Sequence, residues 1–134
     1  MKKSGEGRSE EQDQIALFEW AKLSRGRYPE LALLTHYPSG GSRHMLEAVK
    51  LKRMGVRAGY PDIFLPVRRS GLSGLFVEMK RESLRPKTER GKGGLSDDQA
   101  WWLRELWKQG FQASIAWGFD EAREIIEGYL GGQS

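Results

Sequence analysis

The chain reads as a single α/β domain, and three observations lead to that class. Short apolar runs of strand length stand at residues 31–37, 62–67, 74–80 and 111–117. Between them lie segments of helical spacing, two of which open on a serine with Gln three residues later, Ser9 to Gln12 and Ser96 to Gln99. Glycine and proline punctuate the joins. The resulting order is α-β-α-β-β-α-β-α, with residues 9–130 as the domain and 1–8 as a flexible polar tail.

Each element has a local cause. Ser9 and Gln12 form a capping box for a helix over 10–24, in which Ile15, Leu17, Phe18, Trp20 and Ala21 supply a broad apolar face. Gly26 and Pro29 end it, and the run 31–37 follows as a strand. Residues 38–42 are a Gly/Ser-rich turn, and 43–54 a helix with Leu46 and Val49 inward and Lys50, Lys52 and Arg53 outward. Segments 62–67 and 74–80 are strands joined by a hairpin through Ser70-Gly71. Residues 82–94 form a polar loop. Ser96 caps a helix with Asp97 and Asp98 in its first turn, where the helix dipole favours acids. A strand over 111–117 and a helix over 120–129 complete the chain.

With 134 residues, the chain is long enough to bury a core without covalent staples. It has no cysteine, which excludes disulfides and thiolate metal sites. No apolar run approaches the roughly 18 residues that span a bilayer. The polar start is not a secretory signal. The expected compartment is therefore intracellular, with no membrane partner. No Gly-rich phosphate loop is present, so no nucleotide cofactor is expected. Net charge is +4 with a pI near 9.5, the balance of many proteins that neutralise nucleic-acid phosphates.

The sharpest feature is Asp62 at the head of one strand and Glu78 and Lys80 inside its hairpin neighbour. Side chains two apart on a strand share a face, so Glu78 and Lys80 project together while Val77 and Met79 enter the other layer. If the hairpin brings Asp62 near Glu78, two carboxylates and one ammonium meet. Two carboxylates alone repel and raise one pKa, a conflict a divalent cation resolves. Oxygen ligands favour Mg²⁺ or Mn²⁺, and the chemistry such a set supports is phosphodiester hydrolysis. A bare Asp…Glu-x-Lys spacing also arises as a surface salt bridge worth little. The flanking residues distinguish the two readings.

Pro61-Asp62…Glu78-Met79-Lys80 resembles the PD-(D/E)XK nuclease signature. Gly59-Tyr60-Pro61-Asp62 resembles the Gly-x-Pro-Asp of the VRR-NUC family, the virus-type replication-repair nucleases. Ser9-Glu10 with Gln14, and Leu95-Ser96-Asp97-Asp98-Gln99, resemble two further motifs of that family in the same chain order. The resemblance covers roughly residues 9–125. It implies a restriction-endonuclease-like core, a central mixed sheet flanked by helices, and Mg²⁺- or Mn²⁺-dependent DNA cleavage. By position it makes Glu10 a helix-borne acid of the metal shell beside Asp62 and Glu78. Lys80 joins them as the fourth catalytic group, Gln14 and Gln99 line the site, and Met79 offers its backbone carbonyl to the metal. Glu11 is equally acidic and would take the place of Glu10 if the register slipped by one.

The resemblance further implies a standalone member of viral or bacterial type, acting as a homodimer on branched or structured DNA such as a four-way junction; the alternatives are a structured-DNA-binding module with a weak or inactive site, or a nuclease of the same chemistry on single strands or RNA. The cytoplasm of a bacterial or phage-infected cell, or its nucleoid, is the expected setting. The short chain leaves little room for inserted recognition elements, so shape readout is expected over sequence readout.

Other basic residues are candidates for DNA contact. Arg81, Arg85 and Lys87 belong to the loop after Lys80, read as a mobile arm that clamps phosphates. Lys50 and Arg57 belong to a basic cluster leading into Asp62, and Arg43, with Tyr37 and Ser39, borders the Gly-rich turn. Trp101, Trp102 and Trp107 at helical spacing read as core or dimer interface before base-stacking groups. His36 and His44 match no common ligand spacing, and His36, at a strand end, is the better placed of the two.

Overall fold

A computed structural model describes residues 7–38 and 45–133, with Met45 described in its backbone only. Arg43, Ser39 and His44 lie outside the described residues. The elements run α1 (Glu10–Leu23), a 3₁₀ turn (Pro29–Leu33), β1 (Thr35–His36), α2 (Met45–Arg53), β2 (Ile63–Leu65) and β3 (Leu75–Lys80). A second 3₁₀ turn (Glu82–Leu84), α3 (Asp97–Lys108), β4 (Gln112–Trp117) and α4 (Phe119–Leu130) follow. The four strands form one sheet in the order β1-β2-β3-β4. The first two pairings are antiparallel and β3–β4 is parallel, with α3 as the crossover helix.

Both capping boxes form. Ser9 Oγ accepts from the Gln12 N–H at 3.1 Å and Gln12 Oε1 from the Ser9 N–H at 2.9 Å. Ser96 and Gln99 repeat the arrangement at α3 with the same distances. The hairpin between β2 and β3 turns through Ser70 (φ 53°) and Gly71 (φ 79°), flanked by the Arg69–Leu72 bridge. Two successive positive φ angles match the right-handed strand twist, which is why Ser-Gly serves here.

The sheet is covered on both faces. Leu75, Val77 and Met79 of β3 join Leu17 and Ala21 of α1 and Ala122, Ile126 and Leu130 of α4 in the larger core. Phe76 points the other way, into a smaller core with Leu103 and Leu106 of α3, Ala113, Tyr60 and Phe64. Glu78 and Lys80 share the Phe76 face by strand alternation. Covering both faces is what buries all six residues of β3.

Three local expectations are overturned. Residues 31–37 are not one strand: Pro29 starts a 3₁₀ turn, and only Thr35 and His36 pair with β2. An apolar run of this length does not distinguish a strand from a turn that buries Leu31 and Leu34. Leu46 and Val49 do not point inward but are 74% and 53% exposed. In α1 the buried stripe is Asp13, Leu17 and Ala21, which leaves Ile15 at the surface. Among the described residues, no helix is long and apolar enough to cross a membrane.

Candidate active site

The segment before Asp62 is positioned residue by residue. Gly59 has φ 83° and lies against α3: a Cβ there would sit 2.7 Å from the Asp98 backbone. Only glycine meets both demands. Tyr60 packs edge-on against Phe76, Trp102 and Tyr37, and Pro61 is buried. The Asp62 carbonyl accepts from the Tyr37 N–H at 2.8 Å and from His36 Nδ1 at 2.9 Å. The Asp62 carboxylate accepts from the Met79 N–H at 2.8 Å. Ile63 pairs with Val77, so Asp62 stands across the hairpin from Glu78.

The N-terminus of α1 brings a third acid. One carboxylate oxygen from each of Glu10, Asp62 and Glu78 lies within 4.8 Å of the others. Glu10, not Glu11, is the helix residue in this set; Glu11 faces the adjoining cavity with Gln14, His36 and Asp62. That cavity, about 570 Å³, opens the site to solvent. Lys80 Nζ stands 4.0 Å from Glu78 Oε2, and the Gln99 amide donates to the same oxygen at 3.2 Å.

The electrostatics follow from burial. Glu78 is 2% exposed. Desolvation first, then the charge of Asp62 and a hydrogen bond with it, push its carboxyl up to about 10, against a smaller lowering by Lys80. Glu10 is raised by burial and by Asp62, and lowered by Lys80 and Arg81. Without a cation, this set therefore holds a proton at neutral pH. Three hard carboxylates that cannot all ionise, gathered beside an open cavity, are a donor set suited to a small divalent cation.

The remaining candidates divide. Gln14 lines the cavity beside Glu10. The Met79 side chain is core; its backbone N–H holds Asp62. Arg81 and Lys87 are exposed in the loop after β3, and Lys50 is exposed on α2. Arg57 is exposed, with its guanidinium 5.0 Å over the Trp102 ring. Arg85 forms an ion pair with Glu121 and donates to the Trp117 carbonyl at 3.2 Å. The Gly93 carbonyl accepts from Trp117 Nε1 at 2.9 Å. The loop expected as a mobile arm is thus pinned to β4 and α4 at two points.

Sequence reasoning passed over Asp13. It is fully buried, 3.8 Å from the Arg8 guanidinium, and its carboxylate makes no hydrogen bond of good geometry among the described residues. Burial raises its pKa, partly offset by the Phe119 amide at the start of α4 and by Arg8. The signal was its place on the stripe 13–17–21, an acid where an apolar residue is expected.

The mixed sheet, helices on both faces and acids at the mouth of the central hairpin define a restriction-endonuclease-like α/β protein. A model of the VRR-NUC domain matches residues 8–120, and the chain belongs to that nuclease family. A solved structure described as a VRR_NUC domain protein is similar over 96% of this chain and 93% of its own, at 27% identity and a TM-score of 0.74. No curated protein matches the chain.

Proposed function

We propose that the chain is a Mg²⁺- or Mn²⁺-dependent DNA endonuclease that hydrolyses phosphodiester bonds in branched or structured DNA, working as a homodimer. The observation that carries this reading is the convergence of Glu10, Asp62 and Glu78 within 4.8 Å, beside Lys80 and Gln99.

Glu10, Asp62 and Glu78 would hold the cation, with the Met79 carbonyl adding a neutral oxygen. When bound, the cation supplies Lewis-acid polarisation of a phosphoryl oxygen and acidifies a water. Lys80 lies where an ammonium can orient the attacking water and meet the charge that develops on the phosphorus oxygens. The water oxygen would form the new P–O bond and lose its proton to solvent, while the bond to the leaving oxygen breaks, that oxygen keeping the electron pair and taking a proton from solvent. Gln99 fixes the rotamer of Glu78, so the carboxylate is set before substrate arrives. The Asp62–Met79 bond does the same for Asp62. Gln14 and the cavity beside it lead a DNA strand toward the acids. Net charge of +4 favours a polyanionic partner.

A cleavage panel tests the reading: duplex, flap, splayed-arm and four-way-junction DNA, each with Mg²⁺, Mn²⁺ or EDTA. The expected result is metal-dependent cutting that favours a branched form and disappears in Asp62→Ala. No cutting with either metal, or undiminished cutting by Asp62→Ala, overturns it. Light scattering tests the dimer.

A further inference from the structure

A second cavity, about 520 Å³, lies beside the Gly59–Asp98 contact and shares no lining residue with the cavity at the carboxylates. Arg57, Asp97, Asp98, Trp101, Trp102 and Arg104 line it. Its volume falls in the range of small-ligand sites. Trp102 is the fixed wall: its Nε1 donates to the Ala58 carbonyl at 3.1 Å, and its ring packs against Tyr60 at 4.9 Å. Trp101 stands edge-on to it at 5.1 Å and is 42% exposed. The Arg57 guanidinium lies 5.0 Å from one indole centroid and 6.0 Å from the other. Among the described residues, the aromatic and cation contacts of the Trp101 indole are with Trp102 and Arg57.

The charges around the cavity cancel, two guanidiniums against two carboxylates. A phosphate would be repelled by Asp97 and Asp98 as much as drawn by Arg57 and Arg104. A neutral planar ring with N–H donors on its edge fits better. The indoles and guanidinium offer stacking surfaces, and a carboxylate offers two acceptors side by side. Among DNA bases, guanine alone carries two adjacent N–H donors on its pairing edge. Thymine flanks its single N–H with two carbonyls that a carboxylate would repel. The cavity is also coupled to the acids: Asp98 precedes Gln99, which bonds Glu78, and Gly59 leads through Tyr60-Pro61 to Asp62.

We infer that this cavity is a nucleobase subsite that takes an unpaired guanine, stacked on Trp101 and held at its edge by Asp97 or Asp98. The inference rests on the nuclease reading above for its partner, DNA. It gives that enzyme a way to recognise structured DNA, since a bulge or an unpaired flap presents an unstacked base and continuous duplex does not.

The test is binding of the full chain, in EDTA to prevent cleavage, to four labelled duplexes measured by fluorescence anisotropy. They are fully paired, or carry one bulged guanine, one bulged thymine, or one bulged abasic site. The expected order places the guanine bulge first, and Trp101→Ala weakens that complex roughly ten-fold while leaving the paired duplex unchanged. Asp97→Asn with Asp98→Asn is expected to erase the preference of guanine over thymine. Equal wild-type affinity for guanine and abasic bulges overturns the subsite. So does a Trp101→Ala variant that weakens all four duplexes alike, or that changes the oligomeric state in light scattering, which would assign this face to a second copy of the chain. The two readings fail separately. Guanine preference without metal-dependent cleavage removes the hydrolase and keeps the subsite; cleavage without base preference does the reverse.

Discussion

Gln99 joins the helix cap to the carboxylate cluster: its carbonyl oxygen accepts from the Ser96 N–H at 2.9 Å while its amide donates to Glu78 Oε2 at 3.2 Å. One side chain thus starts α3 and orients an acid on β3. The two roles can be separated by substitution. Gln99→Ala loses both, with a cap cost of about 1 kcal/mol. Gln99→Glu keeps the capping box but faces Glu78 with a like charge instead of a donor. Cleavage is expected to fall in both variants by roughly ten-fold or more. Melting in the presence of Mg²⁺ is expected to drop mainly in the alanine variant. A glutamate variant with wild-type turnover would show that the amide bond to Glu78 does not matter.

Glu78 makes the apo protein sensitive to alkali. Its folded pKa is raised from 4.5 to about 10, so the native state holds a proton that the unfolded chain has released. Stability from this group is full below the unfolded value and is lost as pH rises toward the folded one. Without metal, the melting temperature should therefore decline across that window, and Glu78→Gln should flatten the decline while abolishing cleavage. Metal binding must displace the proton, so Mn²⁺ affinity should rise with pH, with proton release visible as buffer-dependent heats in calorimetry.

Lys80 is expected to act on the rate more than on the metal. Lys80→Ala removes the positive charge nearest Glu78 without removing an oxygen ligand. Cleavage should fall by about a hundred-fold or more, with the Mn²⁺ dissociation constant from titration calorimetry changed several-fold at most. A loss confined to metal affinity would reassign Lys80 as a residue that only tunes the acids.

Gly59 and Gly55 separate backbone strain from crowding. Both have positive φ, 83° and 106°, but a Cβ on Gly55 meets nothing within 4 Å, whereas one on Gly59 strikes Asp98. Gly55→Ala should cost about 1–2 kcal/mol. Gly59→Ala should cost about 3 kcal/mol or more in urea unfolding, because neither backbone can yield without moving Asp62 or Gln99.

The parts legible in the sequence were those with local causes. Capping serines, the Ser70-Gly71 turn and the alternation along 75–80 each act within a few residues, and each appears where the pattern puts it. The element order followed from them. In residues 31–37 a 3₁₀ turn takes most of the expected strand; in the helices the misreadings concern which face is buried. Leu46, Val49 and Ile15 carry apolar side chains outward, and hydrophobicity is a one-way guide to burial. Asp13 is buried beside the first residue of α4, a fact of tertiary packing that no window around residue 13 contains. Spacing and motif point to the carboxylate set with Glu10 ahead of Glu11; in the fold Glu10 stands with Asp62 and Glu78, and Glu11 lines the adjoining cavity. The Arg57–Trp101–Trp102 cavity depends on the approach of α3 to the segment before Asp62, again a long-range contact.

The three clustered acids come from α1, from the residue before β2, and from β3, and their support comes from α3, which precedes the last strand. No stretch of the chain shorter than residues 10–99 contains them all, and β3 is held on one side by β4, which follows α3. Pairings of such sequence separation form slowly, after local turns and helices. A chain emerging from the ribosome therefore carries Glu10, Asp62 and Glu78 long before it can bring them together. Whatever chemistry the acids perform begins only once the domain has closed. In refolding from urea, recovery of metal binding should coincide with the last phase of the native signal and never precede it.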